Sequence, residues 1–169
     1  MGRSPGSFIF GSSAIVQRET YLTEEGLKLL QDEMRHLRGA RRQEVAARIH
    51  RAIESGGAAH NAQYEDAKSE QTFVEGRILD VESILANAVV ASHDKKSRTV
   101  KIGSTVAVET EQHKKESYIV VGSAEASPLD GKISNESPVG QAIMGHKVGD
   151  VVQVETPSKV IKLKITKMK

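Results

Sequence analysis

The chain contains no cysteine and no tryptophan. The first absence excludes disulfides, thiolate nucleophiles and thiolate-bound zinc, and it fits a reducing, cytoplasmic compartment. Aromatic residues are few, with three Tyr and three Phe in 169 residues. A bulky aromatic core is therefore not expected, and thin layers of Leu, Ile and Val take its place. Long apolar runs are also missing. Nothing approaches the roughly 18 residues that a membrane span needs, and the opening SFIFGSSAIV is too interrupted for a secretory signal. An excess of one charge is absent as well. Twenty-four basic against 22 acidic residues leave a formal net charge of +2, so any polyanion contact must come from a local cluster. Residues 1–20 read as a flexible tail.

What is present divides into two halves with different periods. Thr23-Glu24-Glu25-Gly26 reads as a helix start, with Thr as N-cap and acids where the helix dipole favours them. Leu27, Leu30, Met34 and Leu37 follow at spacings of three and four. The stripe fades at Arg41 and resumes at Val45, Ile49 and Ile53. A second helix from Asn61 carries Ala67, Val74, Ile78, Val81, Leu85 and Ala88. Two narrow stripes joined through Gly56-Gly57 predict an antiparallel coiled-coil hairpin over 21–91, with its tip near 56–61 and a length of about 45 Å.

The polar stretch 92–97 reads as a linker. Beyond it the period is two: Val100, Ile102, Val106 and Val108, then Ser117 to Val121, Val152 and Val154, and Ile161, Leu163 and Ile165 predict an antiparallel sheet. Ser137-Pro138-Val139-Gly140-Gln141-Ala142-Ile143-Met144-Gly145 inserts one short helix, with Ser as N-cap, Pro in the first turn and Gly past the end. Residues 98–169 thus form a small α+β domain. No nucleophile–base constellation is visible, which excludes an ordinary hydrolase.

Several stretches together resemble the Gre family of bacterial transcript cleavage factors. Tyr21 to Gly26 is similar to the family's L-T-x-x-G opening, and Asn61 to Gln71 to its N-A-E-Y-x-x-A-K-x-E-Q. Glu75 to Ile78 is similar to E-x-R-I, and Ser137 to Asp150 to S-P-x-G-x-A-L-x-G-K-x-x-G-D. The resemblance implies a coiled-coil hairpin and a C-terminal domain resembling the FKBP fold. It implies an accessory factor rather than an enzyme, acting as a monomer on bacterial RNA polymerase with no cofactor of its own. In the family, the C-terminal domain docks at the rim of the secondary channel. The hairpin enters that channel, and acidic tip residues help hold the polymerase's second Mg²⁺ while the displaced RNA 3′ end is cut. Carried over, docking falls to Ser137, Pro138, Val139, Ile143 and Met144, and a basic patch facing the RNA to Arg35, Arg38, Arg41 and Arg42. Arg35, Arg38 and Arg42 share one helical face, and Arg41 and Arg48 another; ordinary paired surface charge is the competing reading.

The tip departs from the family pattern G-D-x-x-E-N-A-E-Y. Here it reads Gly56, Gly57, Ala58, Ala59, His60, Asn61, Ala62, Gln63, Tyr64. Gly57 and His60 stand where the pattern has its acids. Glycine offers no ligand, and Mg²⁺ prefers oxygen donors over imidazole. No catalytic or metal-binding residue is assigned to the tip itself, and weakened cleavage is expected. Glu54, Glu65 and Asp66 are the nearest replacement ligands, which leaves a fully active factor as an alternative. A peptide-binding or folding module is a third, set against by Tyr118 being the only aromatic of the C-terminal half.

Overall fold

A computed structural model of the chain describes residues 19–54, 62–91, 97–155 and 160–169. The tip at 56–61, all but the last two residues of the expected tail and all but Ser97 of the expected linker lie outside the described residues. Thr20, which composition placed in the tail, instead opens strand β1 (Thr20–Leu22). β1 pairs in parallel with β2 (Ala88–Val90). Ala88 therefore ends in a strand and not on the second helical stripe, because the helix before it closes at Ala86.

Helix α1 (Glu24–His36) starts as its cap signals require. Thr23 is extended, and its Oγ1 accepts the Gly26 N–H. The helical path continues through a π turn (Leu37–Arg41) into α2 (Arg42–Glu54). The fading stripe explains that turn. Leu37 and Val45 are eight positions apart, whereas two α-helical turns take up only ~7.2 residues. A wider π turn absorbs the excess and returns Val45 to the inner face. From there Val45, Ile49 and Ala52 continue the stripe, and Ile53, expected on it, is exposed. Helix α3 (Ala62–Ala86) runs back along this arm. Leu30, Met34 and Val45 pack against Val74, Ile78 and Val81, with Leu22 closing the layer at the base.

The second half holds a five-stranded sheet in the order β5-β4-β3-β7-β6, made of β3 (Thr105–Thr110), β4 (Lys115–Val121), β5 (Lys132–Ser134), β6 (Val151–Glu155) and β7 (Val160–Met168). The purely antiparallel sheet expected from alternation is corrected here: β4 and β5 pair in parallel. Two 3₁₀ turns (Ser123–Glu125 and Pro128–Asp130) and Gly131 at φ +70 bring the chain back in the same direction. Val100 and Ile102 are buried as expected but precede β3 and belong to no strand. Helix α4 (Pro138–Ile143) lies across the sheet and completes a core of Val106, Val108, Val120, Ile143, Val154 and Ile165.

Candidate functional site

Four places carry polar or exposed groups in a pattern worth reading: the arm's flank, its end, the α4 face of the sheet domain, and the junction between the two halves. On the flank, both helices bring charges into register. Arg77 of α3 makes a bidentate pair with Glu33 of α1 at 2.7 and 2.9 Å. Arg38 pairs with Glu82, and Arg42 with Glu75. Arg41 and Arg48 both reach Glu70, and Arg41 also bonds Glu44 at 2.6 Å. The arginines keep the two faces that their spacing gives: Arg38 and Arg42 meet Glu82 and Glu75 on one side of the seam with α3, and Arg41 and Arg48 share Glu70 on the other. Only Arg35 stays on the outside, 78% exposed beside Asp32. The cluster is thus largely a ladder that stitches α3 to the arm.

The charge state of the ladder follows from its pairs. Hydrogen bonding to Arg41 holds Glu44 below the usual carboxylate value of 4.5, and Arg42 does the same for Glu75. A depressed folded-state value stabilises the fold above that ordinary value and ceases to do so as the pH falls through the lowered one. These two pairs are exposed and contribute little each. Glu70 is different: its side chain is only 17% exposed and holds two arginines. Glu70→Ala is expected to destabilise the helical arm by about 1.5–3 kcal/mol, the range for hydrogen bonds to charged groups. Urea unfolding monitored by helix ellipticity measures this, and an unchanged midpoint would reduce the ladder to surface decoration.

At the end of the arm the described residues supply no metal cage. Among them, no group of three His, Asp or Glu side chains is placed to hold an ion. Glu54 is exposed, beside His50 at 4.0 Å. Glu65 and Asp66 are exposed on the first turns of α3, where Tyr64 is half-buried. Gly56 to Asn61 lie outside the described residues, so their chemistry is what the sequence states: no carboxylate.

On the sheet domain the α4 segment is built inward. Ser137 Oγ accepts the Gly140 N–H and donates to the Ser134 carbonyl at 2.6 Å, so the hydroxyl is fully used. Ile143 is completely buried in the core. It cannot serve as a docking side chain, which corrects the assignment made from the motif: the residue that reads as an apolar knob is the one holding helix to sheet. Met144 is half-buried against the same core, and Pro138 is exposed. Val139 instead lines a groove of about 380 Å³ with Tyr118, Val154, Ile161 and Leu163. Burial, then the bond to Glu116, pushes the Tyr118 hydroxyl up to about 12, so it remains a neutral donor at the groove wall.

The junction was missed by sequence reasoning. Glu125, at the end of the first 3₁₀ turn, accepts the Thr23 N–H at 2.8 Å and the Thr23 hydroxyl. A Cβ on Gly26 would lie 1.7 Å from Glu125 Oε1, and one on Gly122 would lie 1.6 Å from the Tyr21 carbonyl oxygen. Both glycines permit close approach between halves. The available signal was Gly26 itself, a poor helix former inside a first turn with no turn to make.

Comparison with known proteins covers both halves. Residues 20–90 match the family model described as transcription elongation factor, N-terminal, and residues 95–169 match that of transcription elongation factor, GreA/GreB, C-term. The transcription elongation factor GreA of Thermoanaerobacter pseudethanolicus is 47% identical over 156 residues, 91% of this chain and 99% of the relative. That of Acetivibrio thermocellus is 45% identical over 154 residues, covering 90% and 97%. Among solved structures, the GreA factor homolog 1 (Gfh1) protein of Thermus thermophilus is 33% identical and covers 90% of this chain and 99% of its own, with a TM-score of 0.42. No helix among the described residues is long and apolar enough to cross a membrane.

Proposed function

The chain belongs to the GreA/GreB family of transcription elongation factors, and from that premise we propose that it occupies the secondary channel of bacterial RNA polymerase without cutting RNA efficiently. Factors of this family are accessories that act through RNA polymerase and are not enzymes themselves. In this reading the paired helices are an antiparallel coiled-coil hairpin that enters the channel. The sheet domain, FKBP-like in having one short helix across a twisted sheet, stays at the rim as the docking half. The factor works in the cytoplasm as a single copy, brings no cofactor, and acts beside the polymerase's own Mg²⁺ and the RNA 3′ end of a backtracked complex.

The observation that carries weakened cleavage is the stretch Gly56 to Asn61, which contains no carboxylate. The groove at Val139 and Tyr118 is the docking surface in this reading, with Pro138 and Met144 beside it. Arg35 is the arginine left to meet RNA phosphate, because Arg38, Arg41 and Arg42 are held by α3 carboxylates.

Val139→Asp places an unpaired charge in that groove. It is expected to weaken binding to core polymerase at least tenfold, the equivalent of ~1.4 kcal/mol, without changing the helix signal. Fluorescence titration of the labelled factor gives affinity and stoichiometry together. Full affinity in the variant would remove docking from this groove, and no binding by the parent protein would end the polymerase reading altogether.

A further inference from the structure

The junction does more than join. Among the described residues, Glu125 is the side chain of the sheet domain that bonds directly to the start of the helical arm. Its two oxygens take the Thr23 N–H and the Thr23 O–H separately. The same hydroxyl accepts the Gly26 N–H at 2.9 Å. A chain of donors therefore runs from the first turn of α1 through Thr23 to a carboxylate of the other half. A carboxylate at this end of α1 also meets the positive end of the helix dipole. Two glycines let the halves close on this contact. Gly26 makes room for the Glu125 side chain, and Gly122 makes room for the Tyr21 carbonyl. Neither has a positive φ, so neither is required by backbone conformation, and close approach is what both provide.

We propose that Glu125 is a positioning residue that fixes the direction in which the helical arm points from the sheet domain. The contact sits at the base of a long lever. From Glu24 to Glu54 the arm spans 31 residues, or ~46 Å at ~1.5 Å per residue. A swing of ~10° at the base moves its far end by ~8 Å, more than the reach of a side chain. A contact at the pivot that is directional at both of its oxygens restrains such a swing, and charge-assisted hydrogen bonds have that directionality. The inference concerns the free protein and stands whether or not the arm enters polymerase.

The absence of cysteine makes the test clean, because two introduced thiols are the only labelling positions. Ala46→Cys on α2 and Gln153→Cys on β6 are both exposed and carry nitroxide labels. Pulsed electron paramagnetic resonance then reads the arm-to-domain distance in the full chain. The parent is expected to give one narrow distribution. Glu125→Ala is expected to broaden it at least twofold with helix ellipticity unchanged, while Glu125→Gln, which leaves one acceptor oxygen, stays closer to the parent. A distribution as narrow as the parent's in folded Glu125→Ala overturns the proposal. Should Glu125→Ala melt α1, Gly26→Ala decides. It displaces the carboxylate with a better helix former, and a narrow distribution there overturns the proposal equally.

Discussion

Replacing Gly57 with Asp and His60 with Glu is expected to raise Mg²⁺-dependent transcript cleavage by stalled elongation complexes at least about a hundredfold. Each electrostatic contact made at a transition state is worth on the order of 3 kcal/mol, and two carboxylates on one short loop supply the hard oxygen donors that glycine and imidazole do not. Both positions lie outside the described residues, and neither belongs to the packed stripes of Leu30, Met34, Val45, Val74, Ile78 and Val81. Affinity for polymerase is expected to stay constant, since the sheet domain is unaltered. The comparison is direct: parent and double variant on the same stalled complexes, at matched occupancy and two Mg²⁺ concentrations. If the parent already cleaves at the rate of an acid-tipped relative, Glu54, Glu65 or Asp66 is supplying the ligand and the tip is not disarmed.

The second large effect is on stability. Ile143→Ala is expected to cost about 3–5 kcal/mol, the upper part of the range for buried Ile truncation. Ile143 is fully buried among Val100, Val106, Val120, Val154 and Ile165. The hole left behind cannot close, because α4 is fixed at both ends of its first turn. Ser137 is bonded to the Ser134 carbonyl, and a Cβ on Gly140 would lie 2.0 Å from that same oxygen. Helix and strand are already at closest approach, so the cavity persists with its full penalty. A domain of this size has only several kcal/mol to lose. Thermal unfolding should move down by ten degrees or more, and polymerase binding should fall only as the folded fraction falls. A shift of two degrees or less would return Ile143 to the surface role that the motif suggests, in contrast with Val139→Asp, which acts on binding in a folded domain.

The arginine cluster shows where reading by residue type reaches its limit. Arg35, Arg38, Arg41 and Arg42 look the same in sequence, and helical spacing separates Arg38 and Arg42 from Arg41 and Arg48 without saying what either face meets. That Arg38 and Arg42 find Glu82 and Glu75, and Arg41 and Arg48 find Glu70, depends on α3 being there to receive them. Similarly, Ser137-Pro138 and Gly145 mark the bounds of α4 by local chemistry, whereas which of its side chains face inward depends on the sheet beneath it.

The sequence by itself determined the kinds of the main elements, the long helices, α4 and the strands β3, β4, β6 and β7, while the short strands β1, β2 and β5 escaped it. Capping at Thr23 and Ser137, the apolar stripes of two long helices and the two-residue alternation of Val106 and Val108 or Leu163 and Ile165 are local rules, and local rules are written in neighbouring residues. It also determined the chemistry of the tip, since an absent carboxylate needs no coordinates to be absent. Tertiary structure decided everything that requires two distant segments to meet. The parallel pairing of β1 with β2 and of β4 with β5, the burial of Ile143, the Glu70 bridge and the Glu125–Thr23 contact across 102 positions are of this kind. Periodicity specifies which face of an element is apolar but not what covers it, and a lone glutamate in a turn has the same sequence signature whether it faces water or the first turn of another helix.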